Sequence, residues 1–499
     1  MDDPLKSIAE AVEVAIGEAE THVGAEGPSP PRRGRAGPGA GPASTDEGAD
    51  GGEGQAPEFS DEALALRFAA LHEADLRYVS VWGKYLIFDG RRWVSDVTLA
   101  GFDRVRALNR SVARQCQNSK TAVDIASAKR VAAVERLARA DRRLAATAEE
   151  WDLDSLLFNT PAGTVDLRSG DLKPHRQEDQ ITKIAAVGPR GDCPRWDEFL
   201  RTVTGGDAEL AAYLRRVAGY CLTGETTESA LFFLYGLGAN GKSVFIATLA
   251  GVMADYARTA PIETFTASAV DRHPTDIAGL RGARLVTATE TEDGRRWAES
   301  RIKQLTGGDM ISARFMRGDF FEFRPTFKLV IAGNHKPGLR SVDEAIRRRF
   351  HLIPFAVTIP PEDRDPGLAE KLRAEWPGIL AWAIEGALEW RTEGLRQPQA
   401  VRDATADYLE AEDSVAAWID DRCEQNPAAW ETSASLFASW SHWATKAGEF
   451  IGSAKKFTQR LEARGFARDK IGGVRAIRGL SLKTPPADES SSNPDEGYR

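Results

Sequence analysis

LFFLYGLGANGKS occupies residues 231–243. An apolar run breaks into glycines and closes on Gly241-Lys242-Ser243. The spacing from Gly236, four residues and then Gly-Lys-Ser, is the pattern of a phosphate-binding loop. Backbone N–H groups must wrap a polyphosphate closely, and Gly236, Gly238 and Gly241 remove the side chains that would obstruct this. Leu237, Ala239, Asn240 and Val244 complete the set of nucleotide-binding candidates. Lys242 is expected to place its charge on the β- and γ-phosphates, and Ser243 to offer its hydroxyl to Mg²⁺. Leu231–Tyr235 reads as a buried strand and Val244–Met253 as the helix after it, the setting this motif requires. The competing reading is a chance glycine-rich turn after a core strand.

Outward from that loop, 499 residues allow two to four domains, and 42% hydrophobic content suits a globular protein with unstructured tails. Cys116, Cys193, Cys221 and Cys423 are widely separated and signal neither a zinc site nor a disulfide framework. An intracellular, reducing location is therefore expected. No apolar run of spanning length occurs, so membrane association is not expected. The net charge of −9 belongs to the ends: 1–56 carries eleven acids against four bases, and 484–499 four against one. The remaining body is close to neutral, and overall acidity does not argue against a nucleic-acid partner.

Residues 1–58 read as a disordered acidic, Gly- and Pro-rich leader, with a short amphipathic helix within 1–20. An α+β domain is expected over 59–195. It starts with a helix capped by Ser60 and a hairpin through Asp89-Gly90. A long helical stretch from about Leu99 to Glu150 follows, then a second hairpin block with turns at Ala162-Gly163 and Ser169-Gly170. Tyr78, Trp82, Tyr85, Phe88 and Trp93 cluster in the first hairpin, where packing is a stronger reading than a base-stacking platform. The loop's domain spans 196–396. Strands at Leu231–Tyr235, Arg284–Thr289 and Lys328–Ala332 alternate with helices, which implies a parallel sheet covered on both faces. Residues 397–484 read as short helices ending in a hairpin through Gly472-Gly473, a winged-helix order, and 485–499 as a disordered acidic tail.

A nucleotide hydrolase needs an acid near the metal, a group sensing the γ-phosphate and a cation for the transition state. In RLVTATETE, Glu290 ends an apolar strand, where its carboxylate would meet Mg²⁺ or the attacking water, and Glu292 could share that work. In KLVIAGNHKP, Asn334 ends a second strand as a candidate sensor. In AIRRRFHLIPF, three arginines precede an apolar run and could reach a neighbouring subunit's nucleotide. The bland readings are a strand-end cap, a turn asparagine and a solvated helix end.

Taken in order, Gly236–Ser243, Glu290, the block GGDMISARFMRGDFFEFRP and Asn334 resemble motifs A, B, B′ and C of superfamily 3 AAA+ helicases. Arg347–Arg349 resembles the finger region that follows them. NTPAGTVDLRSGDLKPH, CPRWDEFL and VAGYCLTGETTE are similar to the segment upstream of the ATPase in the phage- and plasmid-type primase-helicases, a family with poxvirus relatives. The resemblance runs from about residue 60 to 483. It implies a homo-hexameric ring that moves on DNA with ATP between subunits. Lys242 and Ser243 would hold phosphate and Mg²⁺, Glu290 would take the acidic position, and Asn334 would act as sensor. Arg349 best matches the finger, with Arg348 second. Many members carry two adjacent acids at motif B, whereas Thr291 follows Glu290 here. The B′ block would form a channel hairpin with its tip near Met316-Arg317-Gly318, using Arg317 on DNA phosphate with Arg314 and Lys303 in support.

The C-terminal stretch from Lys455 to Lys483 holds nine bases and, as acids, Glu462 and Asp469. Lys455, Lys456, Arg460 and Arg464 lie on its presumed recognition helix, which suits duplex or fork binding. The expectation is thus an ATP-dependent replicative DNA helicase of a phage, prophage or mobile element, working in a bacterial cytoplasm. No polymerase-like domain is expected ahead of residue 60, so primers would come from a separate primase or polymerase. An AAA+ initiator or helicase loader is one alternative. A DNA-binding factor that uses ATP as an assembly switch is another.

Overall fold

The computed structural model of the chain describes residues 57–267, 275–289, 295–316, 318–339, 342–449, 451–462 and 464–483. Residues 1–56 of the expected leader, the expected tail, and the candidates Glu290, Glu292 and Arg317 lie outside the described residues.

The first described helix is α1 (Asp61–His72), where the Ser60 side chain accepts from the Ala63 N–H as an N-cap should. Strands β1 (Leu76–Val79), β2 (Lys84–Phe88) and β3 (Trp93–Ser95) follow, and Phe88 pairs with Trp93 across the Asp89-Gly90 turn. Trp93 and Tyr85 are buried in this sheet and Trp82 is partly exposed, so packing accounts for most of the aromatic cluster.

The helical stretch expected over Leu99–Glu150 holds three helices, α2 (Ala100–Gln115), α3 (Ser119–Ile125) and α4 (Ala128–Ala138). Two polar residues explain the breaks. The Asn118 side chain accepts from the N–H groups of Lys120 and Thr121, and the Ser127 side chain accepts from the N–H of Arg130. Each restarts a helix as an N-cap rather than continuing one. The short strand β4 (Ala145–Ala146) then joins β1 in parallel.

Strands β5 (Leu157–Thr160), β6 (Gly163–Asp166) and β7 (Asp171–Lys173) form an antiparallel meander at the two expected turns. Phe158, Val165 and Leu167 from this meander share one core with helices α5 (Pro194–Val203) and α6 (Ala208–Leu222). The expected boundary at 195/196 therefore falls inside a common core.

The central sheet is built from β8 (Leu231–Tyr235), β9 (Ala257–Thr259), β10 (Leu285–Thr289), β13 (Lys328–Gly333) and β14 (Phe350–Pro354). Its order is β14-β8-β13-β10-β9, and every pairing is parallel. Side chains along β8 alternate between faces. Phe232 and Leu234 pack with helix α7 (Lys242–Met253), while Leu231 and Phe233 pack with helices α9 (Glu299–Thr306) and α10 (Glu344–Arg347). Helix α8 (Thr275–Ala278) precedes β10. Between α9 and β13, strands β11 (Ile311–Ala313) and β12 (Phe321–Phe323) form the expected antiparallel hairpin.

Helices α11 (Leu368–Ala374), α12 (Trp376–Glu393) and α13 (Gln399–Ala411) come next. Tyr408 and Leu409 of α13 enter the core beneath β8, so α13 packs with the central sheet although 397 was the expected boundary. The last module has its own core, centred on Trp418, Trp440 and Phe457. It comprises helices α14 (Ser414–Arg422), α15 (Ser433–Lys446) and α16 (Ala454–Glu462) with strands β15 (Cys423–Thr432), β16 (Ala467–Ile471) and β17 (Val474–Leu482). The sheet order is β15-β17-β16, and Ile471 pairs with Val474 around Gly472-Gly473. Among the described residues no helix is long and apolar enough to cross a membrane.

Candidate nucleotide-binding site

Strand β8 delivers the chain into the glycine loop at the C-terminal edge of the parallel sheet, the edge where open α/β sheets take their ligands. Gly241 stands at φ +83 immediately before α7, a conformation that L side chains rarely adopt. A Cβ there would lie 2.5 Å from Val203 Cγ1 and 2.8 Å from Phe199 Cε2. At Gly236 it would lie 2.2 Å from the Phe355 carbonyl oxygen. Both glycines are thus required by close approach as well as by the motif.

No side chain caps the start of α7. Its first-turn N–H groups and the positive end of the helix dipole face the loop, an arrangement that suits an anion. Lys242 is buried, and its Nζ donates to three neutral oxygens: Gly236 O at 2.7 Å, Asn240 Oδ1 at 2.9 Å and Asn334 Oδ1 at 3.0 Å. Burial pushes its pKa down. An ammonium held only by neutral acceptors gains from an arriving polyphosphate, so the residues present fit such a ligand. Asn240 is itself fixed, because its Nδ2 donates to Phe355 O at 2.9 Å.

Sheet register brings Asn334 to Lys242. Gly333 pairs with Tyr235 at the ends of adjacent strands, so the residues after each leave the sheet side by side. Beside the loop a cavity of about 910 Å³ is lined by Phe199, Thr202, Ala239, Gly241, Val244 and Ile359, large enough for a nucleoside. Ser243 is exposed at the first turn of α7, and Leu237 projects from the loop at 85% exposure. Lining by Phe199 and Thr202 of α5 was not read from the sequence, since only packing brings that helix against the loop.

The arginine triplet divides. Arg349 is buried, donating from Nε to Thr306 Oγ1 at 3.0 Å and from Nη1 to Ala345 O at 2.8 Å. Arg347 lies 3.7 Å from Asp413, and Arg348 is exposed. Arg349, which best matched a finger, is thus bonded within its own chain, and Arg347 and Arg348 are the exposed members of the triplet.

The expected DNA contacts also divide. Lys303 pairs with Asp343 at 2.5 Å. Arg314 stacks its guanidinium 4.8 Å above the Phe320 ring at the hairpin end, where Phe315, Met316 and Phe320 are exposed. Lys455 and Lys456 are exposed on α16. Arg460 and Arg464 are not outward contacts: both turn to Asp413, whose side chain is 6% exposed and needs positive charge around it. On the terminal hairpin, Arg468 pairs with Glu462 and Arg478 with Asp469, while Lys470 and Arg475 are exposed.

Residues 65–205 match a family model described as "D5 N terminal like", and residues 234–349 match a family of unknown function, DUF5906. "Putative helicase L207/L206" of Acanthamoeba polyphaga mimivirus is 25% identical over 296 residues, covering 54% of this chain and 31% of that protein. "Putative helicase 022R" of Frog virus 3 is 24% identical over 331 residues, covering 61% and 32%. The chain thus spans about a third of the length of these curated relatives. Two solved structures of the NrS-1 C-terminal region align over 84% of this chain and 99% of theirs, at 11% and 10% identity and TM-scores of 0.46 and 0.47. In sequence, the chain carries a D5 N-terminal-like stretch and is similar to two viral proteins whose names are those of helicases.

Proposed function

We propose that this protein is an ATP-dependent DNA helicase of a phage, prophage or mobile element, built on a P-loop AAA+ sheet and acting as a hexameric ring. The observation that carries the reading is the buried Lys242 ammonium, held by neutral oxygens of the glycine loop and of Asn334. On nucleotide binding Lys242 exchanges Gly236 O and Asn334 Oδ1 for phosphate oxygens. Asn334, released, orients the lytic water or senses the γ-phosphate. Ser243 and Glu290 are the proposed Mg²⁺ ligands, with Glu290 or Glu292 activating water. A magnesium ion held there would supply neutralisation of the phosphate charge. Arg348 is the finger offered to the next subunit, because it is exposed where Arg349 is not. Arg349 keeps the end of α10 in place.

The β11–β12 hairpin, with Arg314 and Arg317, is the proposed contact to single-stranded DNA. The C-terminal helices and sheet, read as a winged helix, take duplex or fork through Lys455 and Lys456. Unwinding of forked duplexes, with particle mass measured in parallel, tests the reading. ATP-dependent strand separation by a ring supports it. Turnover without separation favours an initiator, loader or assembly switch.

A further inference from the structure

One turn at the end of α13 touches three things that the preceding reading assigns to different tasks. Tyr408 donates its hydroxyl hydrogen to Pro337 O and accepts from Trp297 Nε1 at 2.9 Å. Glu412 accepts from the Leu339 N–H at 2.7 Å. Pro337 and Leu339 belong to the segment that leaves β13 through Asn334, so this helix end grips the sensor loop. Asp413, the next residue, faces elsewhere. Its carboxylate caps α14 by accepting from the Ala416 N–H at 3.3 Å, and it bonds Arg464 of the C-terminal module. Arg460 of that module lies 3.9 Å away, and Arg347 of α10, adjacent to the exposed Arg348, lies 3.7 Å away.

The wiring is asymmetric in charge. Three arginines converge on Asp413, and Arg464 Nη1 further donates to Arg460 O at 2.8 Å. Arg460 Nη2 is buried without a hydrogen-bond partner and its guanidinium also lies 5.6 Å over the Trp440 ring, in the core of the C-terminal module. A shift of α16 on binding DNA would bear on Asp413, since that carboxylate is the shared partner of the module and of α10.

We propose that Tyr408–Asp413 is the coupling element of the machine, with Asp413 a positioning residue that links duplex engagement at the C-terminal module to the placement of Arg348 and Asn334. The proposal rests on the helicase reading above. It assigns to Arg460 and Arg464 a transmitting role in place of direct phosphate contact.

The test compares full-length wild type with Asp413→Asn and, on the other limb, Tyr408→Phe. It reads ATP turnover without DNA, turnover with saturating forked duplex, and duplex affinity by fluorescence anisotropy. Both variants are expected to keep DNA-free turnover and duplex affinity, while the stimulation ratio falls by about five-fold or more. If Asp413→Asn does not fold, Tyr408→Phe carries the same expectation. Variants stimulated like wild type overturn the proposal. Basal and stimulated rates falling in the same proportion also overturn it, because that is what a merely structural role gives. Wild type that turns over ATP without DNA stimulation overturns the coupling alone. Wild type with no turnover overturns the helicase reading beneath it.

Discussion

Lys242 Nζ stands 3.0 Å from Asn334 Oδ1 across the ends of two neighbouring parallel strands. The contact ties the loop lysine to the proposed sensor. Asn334→Ala should leave nucleotide binding largely intact and lower turnover by about 100-fold, the typical cost of one oriented polar group in a transition state. Phosphate release at saturating ATP, with binding measured separately, checks this. Equal losses in both would make Asn334 a binding residue.

Arg348 and Arg349 are neighbours in sequence with opposite environments. Arg348→Ala should cost roughly 1,000-fold in turnover with an unchanged melting temperature, the range seen for finger arginines. Arg349→Ala should instead lower stability by about 1–3 kcal/mol, since Thr306 and the Ala345 carbonyl lose a buried donor. Mixing Lys242→Ala with Arg348→Ala protein should restore part of the activity, because one subunit's arginine then meets another's intact loop. A mixture as inactive as its components would place the arginine elsewhere.

Gly241→Ala puts a methyl group against Val203 and Phe199 at a positive φ. The strain is of order 1–3 kcal/mol. Thermal melting should fall, and a fluorescent ATP analogue should no longer bind.

His351 on β14 is buried, contacts Tyr213 Oη at 2.5 Å, and desolvation lowers its pKa to about 4. The unfolded chain, with a value near 6.5, binds the proton more readily. Stability contributed by the neutral ring is therefore complete above about pH 6.5 and is lost as pH falls towards 4, by about 3 kcal/mol in total. Denaturant midpoints measured across that window should decline in wild type and flatten in His351→Gln.

Replacing Lys455 and Lys456 together with alanine should reduce the slope of log K against log salt for duplex binding by about 2. Arg464→Ala should leave the slope unchanged and lower the melting temperature. A lowered slope for Arg464→Ala would return that residue to the DNA surface.

Local chemistry explains what was legible. The strand, glycine loop and helix over 231–253 are written in contiguous residues, as are the hairpins through Asp89-Gly90 and Gly472-Gly473. Non-local pairing explains what was not. Strand β15 is polar and largely exposed, and it is a strand because Cys423 pairs with Leu482 across the module. Arg460 and Arg464 look like a basic helix face until Asp413, far back in the chain, is brought beside them. In the same way three consecutive arginines are indistinguishable by type. Thr306, Ala345 and Asp413 separate them only in the folded chain.

If the loop around Lys242 drives DNA-dependent ATP hydrolysis, Lys242→Ala should abolish it. Wild type should hydrolyse ATP faster with forked DNA, and Lys242→Ala should bind the same DNA with no turnover above background. A Lys242→Ala protein that retains DNA-stimulated hydrolysis would contradict the account.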